Sequence, residues 1–448
     1  MRRLCGRDYL YPRSGQLRIK RLEIIRLYGS FTKNVDFDPG LNLLVGINGS
    51  GKTSILNCIE WMTKPNLGRL ACTHFHSIKL FFERGGKDYT IVAQRNSHAL
   101  SVQVAGGDFD GEPLNIQIEK PSSSIRSEED MSAALRYYAN LSPEPHEKKT
   151  WAFLKDLADP LCISLDRTIT AESDGEVYID AQLPRGVRRR SPIGKVQDVT
   201  RRKYAAYSQK LNGLNDSLKS QIIVSAFKSS FLRMRSEPVH SVTIDELAIL
   251  ESKVSNLLYT SLDVDSDVAE SIAQYFEEAR KILHHGENDP GLRRAFYAQY
   301  RQIHGLAEAF RDFEEKSLRA FEVLGSYLGT LNLFFRESGK VIGFNETDGT
   351  LGFKHLSRDG ASGAYLSVDR MSSGEKQILI LITFLAFISK RNHVYIVDEP
   401  ELSLHPKWQR SFVGAILDQS PIGTQVIMAT HSPEIVSRYR DKCVVLDV

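Results

Sequence analysis

The sequence predicts an α/β protein whose sheet is assembled from both ends of the chain around an inserted, mainly helical domain. Three observations predict it. Strand-like apolar runs gather before about residue 120 and after about residue 340. Amphipathic helical spacing dominates between them. Two motifs of complementary chemistry, LVGINGSGKTSIL (44–56) and VYIVDEP (394–400), stand about 350 positions apart, so an insertion separates segments that meet in space.

Taken in order, residues 1–16 read as a basic extension. LRIKRLEIIRLYG (17–29) alternates apolar and polar positions, as a half-buried strand does. LNLLV (41–45) is continuously apolar, the pattern of a strand buried on both faces, and it feeds a glycine-rich turn and a helix, TSILNCIEWMT (53–63). Short strands punctuated by Gly-Gly and Asn-Ser turns fill 78–119, closing an N-terminal lobe at 17–120. From 121 to 339 the helices SEEDMSAALRYYANL, RRKYAAYSQKLNGLNDSLKSQIIVSAF, IDELAILESKVSNLLYTSL, VAESIAQYFEEARKILHH and the long segment from Pro290 are expected, interrupted by a strand-like GEVYIDAQL (175–183). None carries a sustained heptad, so no long coiled coil is expected. The C-terminal lobe, 340–448, returns to strands: KVIGFNETDGTLGFKHL, HVYIVDE, TQVIMATH and DKCVVLDV.

Composition sets bounds. The chain has 448 residues, 42% hydrophobic and 25% charged, with 58 Lys+Arg against 55 Asp+Glu. A net charge of +3 neither demands nor excludes nucleic acid; only local clustering could argue for it. Five scattered cysteines without a CxxC pair suit a reducing cytoplasm and support neither a disulfide framework nor a zinc site. The longest apolar run, ILILITFLAFI (378–388), is far shorter than the roughly 20 residues of a membrane span, so no membrane partner is expected.

The motifs carry the chemistry. Gly46-Ile47-Asn48-Gly49-Ser50-Gly51-Lys52-Thr53 fits GxxxxGK[ST] between a buried strand and a helix. Glycines let backbone amides turn onto phosphate, Lys52 would reach the β- and γ-phosphates, and the Thr53 hydroxyl would ligate Mg²⁺. Asp398 would hold the Mg²⁺ shell at the end of an apolar strand, and Glu399 would act as general base toward the attacking water. His431 closes another apolar strand and would serve as a polar sensor beside the γ-phosphate. Ser372-Ser373-Gly374 opens an apolar helix: a second anion site, or a plain serine N-cap with Glu375 in the first turn. The run 185–203 concentrates Arg185, Arg188, Arg189, Arg190, Lys195, Arg201, Arg202 and Lys203 against Asp198. It fits a phosphate-backbone contact, a solvated loop or a surface for an acidic protein equally well. The histidines of THFHS (73–77) and HHGEND (284–289) read as ordinary polar residues.

Walker A (46–53), a signature-like MSSGEKQ (371–377), Walker B (394–399) and His431 follow the order of ABC-type ATPases. The insertion resembles the SMC/Rad50/RecF/OLD branch, and DEPELSLHP (398–406) resembles its OLD-type and AAA15/AAA21-type members, where transporter subunits tend to have DEPTSALD. The resemblance implies a split ABC-type ATPase head using ATP and Mg²⁺. It implies a homodimer of heads or a larger homo-oligomer, with Lys52 of one head facing Ser373 and Gly374 of another. Gln94 is the candidate for the glutamine that contacts Mg²⁺ in such sites. With 17 residues after His431, no Toprim nuclease is expected here. The implied role is that of a sensor or scaffold subunit in an anti-phage system of the PARIS or Septu type, controlling a separate nuclease effector. A RecF-like repair ATPase on duplex DNA is the alternative; a transporter motor fits the insertion and ELSLHP poorly.

Overall fold

Apolar runs from five separated stretches of chain form the central sheet. With strands numbered along the chain, its order is β15 (Cys443–Val445), β3 (Leu41–Val45), β14 (Gln425–Ala429), β13 (Val394–Asp398), β8 (Leu161–Ile163) and β9 (Ile169–Thr170). All neighbours pair in parallel except β8 with β9. Every residue of β13 and β14 is buried, as a parallel sheet covered on both faces requires. A second sheet, antiparallel throughout, runs β2 (Phe31–Asp36), β1 (Leu17–Leu27), β4 (Ser77–Arg84), β5 (Lys87–Arg95), β6 (Ala99–Gly106) and β7 (Leu114–Gln117). A third contains β10 (Lys340–Phe344), β11 (Leu351–Ser357) and β12 (Gly360–Ser367). This computed structural model describes residues 17–63, 66–118, 127–157, 160–163, 169–170, 192–227, 242–261, 266–285, 290–357, 360–388 and 394–446. The expected extension 1–16, the piece 175–183 and Arg185, Arg188, Arg189 and Arg190 lie outside them.

The chain divides into two units: 1–199 with 327–345 and 351–448, and 200–326 with 346–350. The first therefore takes α3 (Glu128–Ala139), α4 (Lys148–Lys155) and β8 from the stretch expected to be inserted. Its core joins Ile19, Leu22 and Ile24 of β1 to Ile55, Ile59 and Met62 of α1 (Lys52–Thr63), to α2 (Leu67–Cys72), and to Ile396 and Ile427 of the central sheet. The C-terminal turns of α8 (Pro290–Phe335) bury Tyr327, Leu331, Phe334 and Phe335. The Tyr327 hydroxyl meets Thr383 Oγ1 of α9 (Ser373–Thr383) at 2.8 Å, and Phe334 and Phe335 pack on Trp408 of α10 (Pro406–Gln419).

The second unit is helical: α5 (Pro192–Phe227) from Thr200 onward, α6 (Ile244–Ser261), α7 (Ser266–His285) and the earlier part of α8. Leu247, Leu250, Phe276, Ala279 and Phe296 form its core, and Lys253 pairs with Glu308 at 2.9 Å across helices.

Gln425 is the one polar side chain at the head of the otherwise apolar β14, and it is 1% exposed. Its Oε1 accepts from the Ile19 N–H, and its Nε2 donates to the Ile19 and Asp38 carbonyls, each at 2.8 Å. One side chain thus ties the head of β14 to the Ile19 backbone of β1 and to the Asp38 carbonyl, which it shares with Asn42 Nδ2. Gln425→Ala should orphan the Ile19 N–H and carbonyl, while the Asp38 carbonyl keeps Asn42 Nδ2 at 2.9 Å, and should cost roughly 2–4 kcal/mol, read as a lower urea midpoint. An unchanged midpoint would show the link to be dispensable.

Candidate active site

The glycine-rich turn starts where β3 ends. Gly49 and Gly51 stand at φ +85° and +87°, and a Cβ on Gly51 would lie 2.3 Å from the Phe31 ring. Position 51 is closed to side chains both by backbone handedness and by that ring. A Cβ on Gly46 would come within 2.8 Å of the Leu446 carbonyl. The turn delivers Lys52 and Thr53 as the first residues of α1. Buried Lys52 donates from Nζ to the Gly46 and Ile47 carbonyls at 3.0 and 3.1 Å. Burial pushes its pKa down, against the upward pull of Glu399, Asp398 and Glu401.

Asp398 ends β13. Burial holds its pKa above the usual carboxylate value; Glu399 and Glu401 add to this, while the Thr53 hydroxyl bonded to it and Lys52 work against it. Among the described residues, its buried Oδ1 has no hydrogen-bond partner. Glu399 follows at φ +44°, ψ +56°, left-handed backbone that side-chain-bearing residues seldom adopt. Its N–H donates to the Ala429 carbonyl at 2.9 Å. Two residues beyond Ala429, His431 Nε2 stands 3.7 Å from Glu399 Oε1.

These groups surround a cleft of about 500 Å³ lined by Asn48, Gly49, Gly51, Lys52, Thr53, Ser54, Glu399, Glu401, Leu402 and His431. Three chain segments therefore meet at the C-terminal edge of parallel strands, where open α/β sheets place ligands. The residues fit a Mg²⁺–nucleotide. The glycine turn admits close backbone approach, α1 presents its N-terminal amides, and Thr53 with the orphaned Asp398 oxygen offers oxygen ligands. Among the described residues, no cluster of three or more His, Cys, Asp or Glu is arranged to hold a metal alone. That suits Mg²⁺, which usually takes one or two protein carboxylates and completes its shell with phosphate and water.

Other expected residues lie elsewhere. Ser372 is the N-cap of α9: its Oγ accepts from the Glu375 N–H at 3.4 Å, and Glu375 Oε2 accepts from the Ser372 N–H at 2.8 Å. Ser373 is exposed and Gly374 half-buried, and none of the three lines the cleft of their own chain. Gln94 is exposed on β5 and does not line the cleft either. Arg201, Arg202 and Lys203 are exposed consecutively on α5. Four contributors escaped sequence reading, among them Ser54, one residue past the GxxxxGKT match. Phe31 gave no signal, standing 20 positions from Gly51; Glu401 and Leu402 lay within the quoted DEPELSLHP without an assigned role.

A family described as AAA ATPase domain (AAA_15) matches residues 18–436. The chain is 32% identical over 91 residues to the DNA double-strand break repair Rad50 ATPase of Archaeoglobus fulgidus, covering 18% of this chain and 10% of that protein. It is 31% identical over 87 residues to the Retron Vc95 ATPase of Vibrio cholerae, covering 17% of each. The chain thus spans only a small part of these curated relatives. Among solved structures, an Smc head domain with an extended coiled coil, bound to the C-terminal domain of ScpA and derived from Pyrococcus furiosus, aligns over 94% of this chain and 91% of that one. The identity is 15% and the TM-score 0.35. Among the described residues, no helix is long and apolar enough to cross a membrane.

Lys340, the first residue of β10, pairs with Glu375 at 2.7 Å, and both are largely buried. Burial alone would raise the Glu375 pKa; the Lys340 bond and the Ser372 cap outweigh it and hold the pKa below the usual value. The ionised pair therefore stabilises the fold above the ordinary carboxylate pKa, and the contribution is lost as pH falls through the lowered value. Lys340→Met should leave a buried charge unpaired and destabilise the protein most near about pH 7. The gap to wild type, measured by urea unfolding, should narrow toward about pH 4. A gap independent of pH would assign the effect to packing instead.

Proposed function

This chain belongs to the AAA ATPase domain family, and from that membership we propose that it binds ATP with Mg²⁺ and hydrolyses it to ADP and phosphate. The observation that carries the reading is the convergence of Lys52, Thr53, Glu399 and His431 on one cleft, with Asp398 bonded to Thr53. In this reading the 46–53 amides and the α1 N-terminus hold the phosphates, and Lys52 neutralises their charge. Thr53 and Asp398 hold Mg²⁺, which supplies charge neutralisation at the phosphate oxygens. Glu399 accepts the proton of the water that attacks the γ-phosphorus, and His431, 3.7 Å away, offers a polar contact on the same side.

At the level of the whole protein, the role is that of an SMC/Rad50-type ATPase working as a sensor or scaffold. ATP-dependent pairing of heads would set Ser373 and Gly374 of one copy against the cleft of another, and would control a separate nuclease effector in anti-phage defence of the PARIS or Septu type. Support comes from the DEPELSLHP segment and from the likeness to a retron ATPase. The exposed Arg201, Arg202 and Lys203 and the likeness to a double-strand break repair ATPase favour a second reading, a RecF-like engine on duplex DNA.

Lys52→Ala should abolish ATP binding in calorimetry. Glu399→Gln should bind ATP yet release phosphate at least about 100-fold more slowly. Wild-type turnover in Glu399→Gln would remove Glu399 as the base. Tagged Glu399→Gln purified from its host with MgATP separates the two roles. A stoichiometric nuclease supports the first, whereas nucleic acid alone, lost without ATP, supports the second.

A further inference from the structure

We infer that Glu401 and Gln409 are positioning residues for hydrolysis, a pair of struts that hold His431 beside Glu399. The inference rests on the ATPase reading above. The Glu399–His431 separation of 3.7 Å is too long for a hydrogen bond, so the two side chains do not fix one another. The β13–β14 ladder ends at Asp398 and Ala429, and the Thr430 N–H still bonds to the Leu44 carbonyl at 3.2 Å, so His431 lies one residue past the sheet's own bonds.

Two contacts outside the ladder take over. Glu401 Oε1 accepts from the His431 backbone N–H. On α10, Gln409 Nε2 donates to the Leu404 and Glu401 carbonyls at 2.8 and 3.3 Å. Its Oε1 accepts from the hydroxyl of buried Ser432 at 2.6 Å. The turn after Glu399 is thereby tied to His431 and to the residue after it. Ser432 is held in turn, since its Oγ accepts from the Ile435 N–H at the start of α11 (Pro433–Val436). Glu401 Oε2 is buried without a partner among the described residues.

The full-length chain with Glu401→Ala, Glu401→Gln, Gln409→Ala and Lys52→Ala tests this by steady-state phosphate release. Glu401→Ala should lower kcat about 10–100-fold, the range expected for a lost charge-assisted hydrogen bond, with KM for ATP within about threefold. Glu401→Gln keeps an oxygen acceptor for the His431 N–H and should recover most of that loss. Gln409→Ala should also lower kcat at constant KM, and the double alanine variant should lose less than the product of the single losses. Wild-type kcat in Glu401→Ala, a glutamine variant as poor as alanine, or a loss carried by KM would each overturn the inference. Should Glu401→Ala fail to fold, Gln409→Ala makes the same kcat-against-KM comparison. If wild type and Lys52→Ala are equally inactive, the ATPase reading itself fails and takes the inference with it. If only Lys52→Ala is inactive, the reading stands and the Glu401 and Gln409 variants decide alone.

Discussion

The backbone ladder of β14 makes one site out of two distant segments. Ala429 pairs with Leu44 on one side and with Asp398 on the other, so the last residue of β13 and the next-to-last of β3 lie in one row across the sheet. With strands spaced about 4.8 Å, the two motifs stand roughly 10 Å apart, a span a triphosphate and its metal can bridge. Parallel pairing matters because it brings all three C-terminal ends to the same edge. A slip of one residue would advance Asp398 by about 3.3 Å and turn its side chain to the opposite face. Register is therefore what the site depends on, and Gln425 pins it at the opposite end of β14 through Ile19 and Asp38.

Strain collects where that ladder stops. Glu399 occupies left-handed backbone, a conformation that costs of order 1–3 kcal/mol and persists only if its surroundings over-determine it. Those surroundings are visible: its N–H bonds to Ala429, and the Leu402 N–H returns to its carbonyl at 3.3 Å. Pro400 opens the following 3₁₀ turn with φ already fixed. An unstrained continuation of β13 would carry the chain straight on past the cleft. The left-handed residue reverses it, so that Glu399, Glu401 and Leu402 all line the pocket within four positions.

Much of this was legible because the signals were local. GxxxxGKT must be contiguous to form a turn, and runs such as LNLLV and VYIVD announce strands buried on both faces. SEEDMSAALRYYA showed its helix through periodicity, and the structure adds a capping box between Ser127 and Asp130. What stayed hidden was short or non-local. The three residues of β8 are too few for any period to show, and they sit among helical segments. Gln425 reads only as the polar head of an apolar strand; its partners are more than 380 residues away. The Phe31 ring that closes Gly51 to side chains belongs to a strand whose own pattern says nothing of the turn. For the serines at 372 and 373, the sequence left an anion site and an N-cap both open. The cap is what the single chain displays, because Glu375 stands at the third helical position and is anchored by Lys340.

Charge balance bears on how the cleft would take the proposed metal and nucleotide together. Lys52 is one cation facing Glu399 and Glu401, with Asp398 immediately behind on Thr53. Three carboxylates against one ammonium would repel a bare triphosphate rather than attract it. The elevated pKa of Asp398 records the same surplus, since burial and its two acidic neighbours all penalise its charge. A divalent cation on the Asp398 oxygen would convert that penalty into attraction, and would let the oriented amides of the P-loop act on phosphate without opposition from the acids. With a cation in place, the cleft would be more complementary to a triphosphate than it is without one. Under the proposed ATPase reading, this would favour a magnesium–nucleotide complex over free nucleotide.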